Sequence, residues 1–519
     1  MAVLSRATRR TRAALRTLVT SGAGGLALAL VVALAFPSLA FANVTLTQIS
    51  SDPFTSSTCT ASNTTYHHTE VEPDSFSNGA TIVAAFQVAR IFDGGGCDVG
   101  FATSSNNGGT WTQGLLPGIT KFSGAGPFDR VSDAAVAFDA RHNVWLISTL
   151  AISEAGGAHG AAVLTSRSTN GGLTWGNPVT TATGSNVDKN WIACDNTSTS
   201  AFFGHCYTEW DNNGAGNLLQ MSTSSDGGLT WGAVKTNNAG VIGGQPVVRP
   251  DGTVIVPTDN ANETAVGAFH STDGGNTWSA ITTIANISHH RVAGSLREGP
   301  LPSAEIDGAG TVYVAWTDCR FRSGCPSNDI VFSKSLNATG TSWAAVSRVP
   351  IDATNSGRDH FIPGLAVNKS TSGGTARLGL TYYFYTTAAC GSSCALNVGF
   401  ISSTNGGSTW SAATQLAGPF NVGWVANTSQ GRMVGDYIST SYGSDGLAHG
   451  VFMTATAPTS GTTCGAVANN CNEPADSPAS GLATLGGAAS SAGDPVVFTD
   501  NGGGAHLWDT VQGNGIRHR

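Results

Sequence analysis

The sequence predicts an all-β fold, a propeller of seven four-stranded blades with six as the alternative count, and three observations carry that expectation. A short pattern, Ser-x-Asp/Asn-x-Gly-x-Thr-Trp, recurs over Ser104–Trp111, Ser168–Trp175, Ser224–Trp231, Ser271–Trp278 and Ser403–Trp410, with a longer degenerate form over Ser335–Trp343. Pairs of strand-like runs separated by a turn precede these repeats at blade-sized intervals of about 50 to 65 residues, the mark of an array. The chain is also poor in charge (11%) and rich in glycine (67 residues) while apolar and aromatic residues persist throughout, which reads as a rigid β-protein and not a disordered one.

Each position of the repeat has a structural reason. A carboxylate or amide can accept hydrogen bonds from the backbone of its own turn, glycine supplies a positive φ, and the tryptophan can enter an apolar layer between blades. Asp226 and Asp273 are therefore expected to be structural and not catalytic. The strand pairs run from Ser132 to Phe138 and Asn143 to Ser148 in one unit, with comparable pairs beginning near Asp74, Lys189, Gln245, Ser303, Ile362 and Val434. The last unit lacks a repeat, so the run Val44–Ile49 is expected to supply its closing strand. Closing the ring in this way removes exposed sheet edges.

Residues 1–42 read as an export signal, with Arg6, Arg9, Arg10, Arg12 and Arg16 followed by an apolar run from Leu26 to Phe36 and by Ala40-Phe41-Ala42. The apolar run is short of the roughly 20 residues a membrane-spanning helix needs. Cleavage is expected before Asn43, giving a secreted protein with no membrane attachment. Residues 43–457 would then form the propeller, and the Ala/Gly/Ser-rich residues 458–519 a tail packed on it or trailing from it. Without the signal the chain carries 20 basic and 33 acidic residues, a formal charge of −13, and shows no basic stripe. Such a chain repels phosphate backbones, which argues against nucleic acid as a partner.

All ten cysteines lie after the signal. Close pairs suggest Cys194–Cys206, Cys319–Cys325, Cys390–Cys394 and Cys464–Cys471, leaving Cys59 and Cys97 for each other, as an exported chain with an even count would have. No Cys-x-x-Cys pair and no ligand-spaced histidine cluster points to zinc. His67-His68 and His289-His290 are read as loop residues. Loop calcium on Asp93 or Asp98 is conceivable but not required, so neither metal nor cofactor is expected.

The repeats resemble the Asp-box (BNR) repeats of bacterial sialidases and related exported glycoside hydrolases, over roughly residues 100 to 410. That resemblance implies a β-propeller of the sialidase-like superfamily. It also implies a secreted glycoside hydrolase acting on a glycan or glycoconjugate that contains an acidic sugar. Because the same repeat decorates binding modules, the alternative is a non-catalytic extracellular propeller that binds glycan or protein. Sialidases open their first blade with Phe/Tyr-Arg-Ile-Pro, and the nearest string here is Ala89-Arg90-Ile91-Phe92, without the proline.

Reactive groups would sit on the rim opposite the repeats, on segments leading into each first strand and on loops joining second to third strands. These segments hold Glu70-Val71-Glu72-Pro73-Asp74, Asp129-Arg130, Asp188-Lys189-Asn190-Trp191 and Arg297-Glu298, and the loops add Arg90, Asp93, Glu209 and Asp211. Three groupings stand out. Arg320 and Arg322 share a loop with Asp318 that a Cys319–Cys325 bridge would stiffen, a mount for two guanidinium forks. Arg358-Asp359-His360 joins a cation, an acid and a titratable imidazole. Arg432 lies near Asp436-Tyr437, where Tyr437 could serve as a nucleophile if a carboxylate reaches it. The expected site thus comprises Asp318, Asp359, Asp436 and Tyr437 as catalytic groups, with Arg320, Arg322, Arg358 and Arg432 seating the substrate's carboxylate. The other reading is that these groups pair with one another and close the rim.

Overall fold

The computed structural model describes residues 44–465 and 470–487. The expected signal, residues 1–42, lies outside them. Among the described residues the strand pairings form seven antiparallel meanders that follow one another along the chain, each referred to below as a blade. Their innermost strands are Glu70–Asn78, Arg130–Asp139, Val187–Cys194, Val247–Val248, Ser303–Ile306, Asp359–Val367 and Ser439–Tyr442. Each packs against the innermost strand of the next blade, and the seventh returns to the first.

The strands in the middle of a blade are covered on both faces by neighbouring blades, so they are apolar almost continuously where a half-exposed strand would alternate. Val144–Ser153 is buried up to its last residue, and Thr81–Arg90 from its second residue onward. The core is accordingly divided into layers between blades. Val83, Phe101, Val136 and Trp145 fill the layer between blades 1 and 2, and Val314, Trp316, Val266 and Ala268 that between 4 and 5. Inner-strand side chains lace the ring further by accepting from the next blade's backbone: Asp74 from Val136 N at 2.7 Å, Gln245 from Ala304 N at 2.8 Å, and Ser303 from Leu365 N at 3.0 Å.

Every repeat forms the turn between a third strand and the outer edge of its blade. In the first, Asn106 Oδ1 accepts from Thr110 N at 2.9 Å, Ser104 Oγ accepts from Gly108 N at 2.9 Å, and Trp111 Nε1 donates to Gly108 O at 3.0 Å. Asp226 and Asp273 accept the equivalent bonds from Thr230 and Thr277. The glycine that carries the positive φ, such as Gly172 at 81° or Gly407 at 80°, abuts the preceding blade, where a Cβ on Gly407 would lie 2.5 Å from the Phe332 ring. The tryptophans bridge blades as well, Trp175 against Phe101, Trp278 against Tyr207 and Trp410 against Phe332.

The last blade is closed by the other end of the chain, with Leu46–Gln48 pairing Ala475–Pro478 antiparallel. The N-terminal run therefore acts as expected. The third strand of that blade, Ala475–Pro478, falls in the stretch read as tail, so the ring extends beyond residue 457. Ala-Asp-Ser-Pro carries none of the β-branched or aromatic residues that mark a strand, and its burial comes from tertiary pairing alone.

The five disulfides Cys59–Cys97, Cys194–Cys206, Cys319–Cys325, Cys390–Cys394 and Cys464–Cys471 are all present, and no described cysteine is free. No helix among the described residues is long and apolar enough to cross a membrane.

Candidate functional site

The repeats share a rim with the turns between first and second strands, as shown by Asn107 N donating to Ala80 O at 2.9 Å. Antiparallel alternation puts the segments leading into the first strands, and the loops between second and third strands, on the opposite rim. There the first strands of blades 1, 2, 3 and 6 carry the same β-bulge. Pairing skips between Val71 and Asp74, Ser132 and Ala135, Asp188 and Trp191, and Phe361 and Pro363. Glu72, Asp133, Lys189 and Ile362 occupy the bulges with φ of 56°, 47°, 55° and 50°. A left-handed conformation costs a non-glycine residue about 1–3 kcal/mol and gathers at functional sites.

Three of these side chains meet. Lys189 Nζ lies 3.9 Å from both Glu72 Oε1 and Asp133 Oδ1, and it donates to Asp436, which precedes the first strand of blade 7. Arg297, from the connection between blades 4 and 5, grips the same Asp436 with two nitrogens, Nε reaching Oδ1 at 2.6 Å. Gln87 Nε2 donates to Glu72 and to Ser132 Oγ, and Arg90 Nη1 donates to Gln87 Oε1 at 2.8 Å.

Burial, with Asp133 and Asp436 close by, raises the pKa of Glu72 above the usual carboxylate range, and burial raises Asp133 against the pull of Lys189. Asp436 goes the other way. Burial alone would raise it, but Arg297 and Lys189 overrule that and keep it ionised. Burial and the neighbouring Arg297 bring Arg90 down to about 10.

Tyr437 lies beside this cluster, its ring 4.9 Å from that of Trp191 in an edge-on contact. Its hydroxyl is buried without a hydrogen-bond partner, and burial together with Glu72, Asp133, Asp74 and Asp436 holds its proton on far above the ordinary phenol range. With Lys189, Gln245, Leu301 and Pro302 it surrounds a small pocket of about 10 Å³, room for one water.

The other expected residues stand apart from this cluster. Asp318 is fully buried and is gripped by Arg320 through Nε at 2.9 Å and Nη2 at 2.6 Å, so this candidate acid and this candidate arginine satisfy each other. Arg322 is buried against Asp329 and Asp352 at 2.6 and 2.9 Å, with Arg348 gripping the same two carboxylates. His360 completes that nest, where burial lowers its pKa to about 4. Asp329, Asp352 and His360 bring ligand atoms within 4.8 Å of one another, a metal-like spacing, but two guanidinium groups already balance the carboxylates. Asp93, considered for calcium, is paired with Arg130, and Asp98 is buried, with its pKa raised to about 8 by that burial.

Arg432 Nη1 donates to the carbonyls of Val425 and Cys464. Asp359 accepts from Asn328 N at 2.7 Å, its other oxygen is buried without a hydrogen-bond partner 3.9 Å from His290 Nε2, and burial pushes its pKa up to about 7. Arg358 is half-buried and donates no side-chain hydrogen bond among the described residues. None of the four expected arginines donates to Asp359, Asp436 or Tyr437 among the described residues. The physical reason is proximity: an arginine in an acid-bearing loop finds its own loop's carboxylate first, as Arg320 finds Asp318. Glu72, Lys189 and Arg297 stand in the polar leading segments noted in the sequence, whereas Asp133 lies in the run Ser132–Phe138 read as a strand, and the bulges that gather Glu72, Asp133 and Lys189 leave no mark in the sequence beyond Pro73 after Glu72.

No family model matches the chain, and no curated protein matches it. Among solved structures it is similar to a Dyadobacter fermentans protein of unknown function, at 17% identity and a TM-score of 0.43, covering 66% of this chain and 97% of that one. An ulvan lyase of a polysaccharide lyase family aligns at 9% identity and a TM-score of 0.48, over 83% of this chain and 95% of that one. Trypanosoma rangeli sialidase aligns at 13% identity and a TM-score of 0.41, over 79% of this chain and 54% of that one. These likenesses set no residue-by-residue correspondence, so the functional reading rests on the site itself.

Proposed function

We propose that the chain is an exported, sialidase-like glycoside hydrolase whose chemistry is carried by the cluster of Glu72, Asp133, Lys189, Arg297 and Asp436. One observation carries this reading: carboxylates with opposite proton affinities are held side by side, Glu72 and Asp133 raised and Asp436 ionised. Glycoside hydrolysis needs one carboxyl that keeps a proton to give to the leaving oxygen and another that stays charged to stabilise the developing cation or activate water. Glu72 takes the first role and Asp436 the second. Tyr437 stays a phenol and takes no part as a nucleophile, because no base lies within hydrogen-bond reach of its hydroxyl among the described residues. An acidic sugar would be seated by Arg297, whose side chain keeps about a fifth of its surface exposed, and by Arg358.

The test is a panel of acidic and neutral glycans assayed for hydrolysis by the whole chain, with Glu72→Gln and Asp436→Asn alongside. Hydrolysis that falls a hundredfold or more in both variants supports the assignment, and a Glu72→Gln variant with full activity overturns it. A second reading, a non-catalytic propeller that binds glycan or protein, is favoured by the burial of Glu72 and Asp133, which are 1% and 3% exposed. Binding without turnover would select it.

A further inference from the structure

Among the inner strands lies a cavity of about 570 Å³, which reaches turns such as Gly79, Thr197, Gly308 and Ser370 on the repeat-bearing rim. Trp191 and Gln245 line both the small pocket beside Tyr437 and this cavity. We propose that this cavity is a binding site for a neutral, monosaccharide-sized polyol, distinct from the charged cluster on the other rim.

Size and lining chemistry both point to that class. The volume lies within the range of about 300–1,000 Å³ typical of small-molecule sites. Hydroxyls and an amide face it with unused capacity. Ser75 Oγ lies 3.0 Å from Ser439 Oγ and 2.8 Å from Ser441 Oγ, and each hydroxyl offers one donor and two acceptors. Gln245 uses its oxygen for Ala304 N, and its Nε2 donates to no described residue. Between these polar groups stand Trp191, Val247, Leu365 and Ile438, apolar surfaces that match the C–H faces of a sugar ring.

The charges narrow the choice further. Asp74 reaches the cavity, accepts from Val136 N, and is raised by burial to about 7, so near neutral pH its carboxyl can either accept from or donate to a hydroxyl. Glu305 is raised by burial against the pull of Lys369. Three carboxyl groups in the lining, Asp74, Glu305 and Asp307, against the one ammonium of Lys369 disfavour phosphates and carboxylates, and the hydroxyl lining leaves a purely apolar ligand with unmet polar partners.

The test titrates the full chain with glucose, galactose, mannose, xylose, myo-inositol and glycerol by calorimetry and tryptophan fluorescence, and soaks crystals with any that bind. Two variants accompany it. Gln245→Leu removes the free donor, and Ser77→Trp fills the mouth from a half-exposed position, with loss of the hydrogen bond from Ser77 Oγ to Tyr442 O. The expected result is density for the sugar in the cavity, binding weakened at least about tenfold in both variants, and binding in Glu72→Gln within about twofold of wild type. Failure of every polyol to bind, binding that survives Ser77→Trp, or binding lost in Glu72→Gln would each overturn the proposal. The last outcome would move the ligand to the opposite rim without touching the question of hydrolysis.

Discussion

The repeat turns and the cluster on the opposite rim use the same kinds of residue, but they satisfy them at very different distances along the chain. Asp226 accepts from Ser224, Leu229 and Thr230, all within four residues. Asp436 is held by Arg297 and Lys189, which are 139 and 247 residues away. Both stay ionised, and the difference appears in the carboxylates around each. Burial alone would raise Asp226 and Asp273, but the threonine hydroxyl and backbone N–H of each turn bring both below the ordinary value. On the other rim Glu72, Asp133 and Asp359 are raised. A carboxylate supplied with local N–H donors is a finished part of the fold. One assembled from distant blades and left short of donors holds its proton, which is the state a proton donor needs.

The largest expected effect comes from breaking the distant arrangement. Asp436→Ala leaves Arg297 and Lys189 facing each other without their shared carboxylate, and stability should fall by about 3–5 kcal/mol in urea denaturation. Combining it with Lys189→Met should cost clearly less than the two losses added, because the residues share one network. Equal additive losses would show that the cluster is no unit.

Next comes the sign of the pH dependence. The folded state binds the Asp359 proton more tightly than the unfolded chain does, so the stability this group contributes is full below about pH 4 and is lost as pH rises through about 7. Asp359→Asn should therefore gain on wild type at pH 8 relative to pH 4, by up to about 4 kcal/mol at roughly 1.4 kcal/mol per pKa unit. The repeat carboxylates work the other way, with a contribution that is present above the unfolded pKa and lost as pH falls. Melting curves should therefore diverge from wild type between pH 4 and 8 for Asp359→Asn, and only as pH falls below about 4, with the opposite sign, for Asp226→Asn.

Smaller effects belong to the repeats themselves. Asp226→Ala and Asp273→Ala should each cost about 1–2 kcal/mol, and the double variant should match their sum within about 0.5 kcal/mol, since each turn is self-contained. Arg358→Ala should change stability by no more than about 0.5 kcal/mol, so a loss of glycan affinity in that variant would isolate a contact with ligand.

The same distinction explains what the sequence could disclose. The repeats, the all-β class and the disulfides were legible because their causes lie within a few residues or within one pattern. The closing strand Leu46–Gln48 was legible because a blade without a repeat needs an edge. Ala475–Pro478 was not, since its place is set by its two neighbours and not by its own side chains. On the rim, the polar segments were identified and Asp436 and Tyr437 were chosen among them, yet the arginines singled out with them, Arg320 and Arg322 of a loop between second and third strands, are tied to Asp318, Asp329 and Asp352. Lys189 and Glu72 gained their positions from bulges, and a bulge is a register event between strands that no single stretch of sequence announces.

The pairing of Leu46–Gln48 with Ala475–Pro478 gives the ring a single seam that joins segments more than 400 residues apart. Loop closure over such a span comes late in folding, because the ordering it demands precedes any contact that rewards it. A chain interrupted before residue 475 has nothing for Leu46–Gln48 to pair with, and its seventh blade is left with two strands. Synthesis of the final hairpin therefore acts as a completeness check, since only a chain carried through to residue 478 can lock the circle.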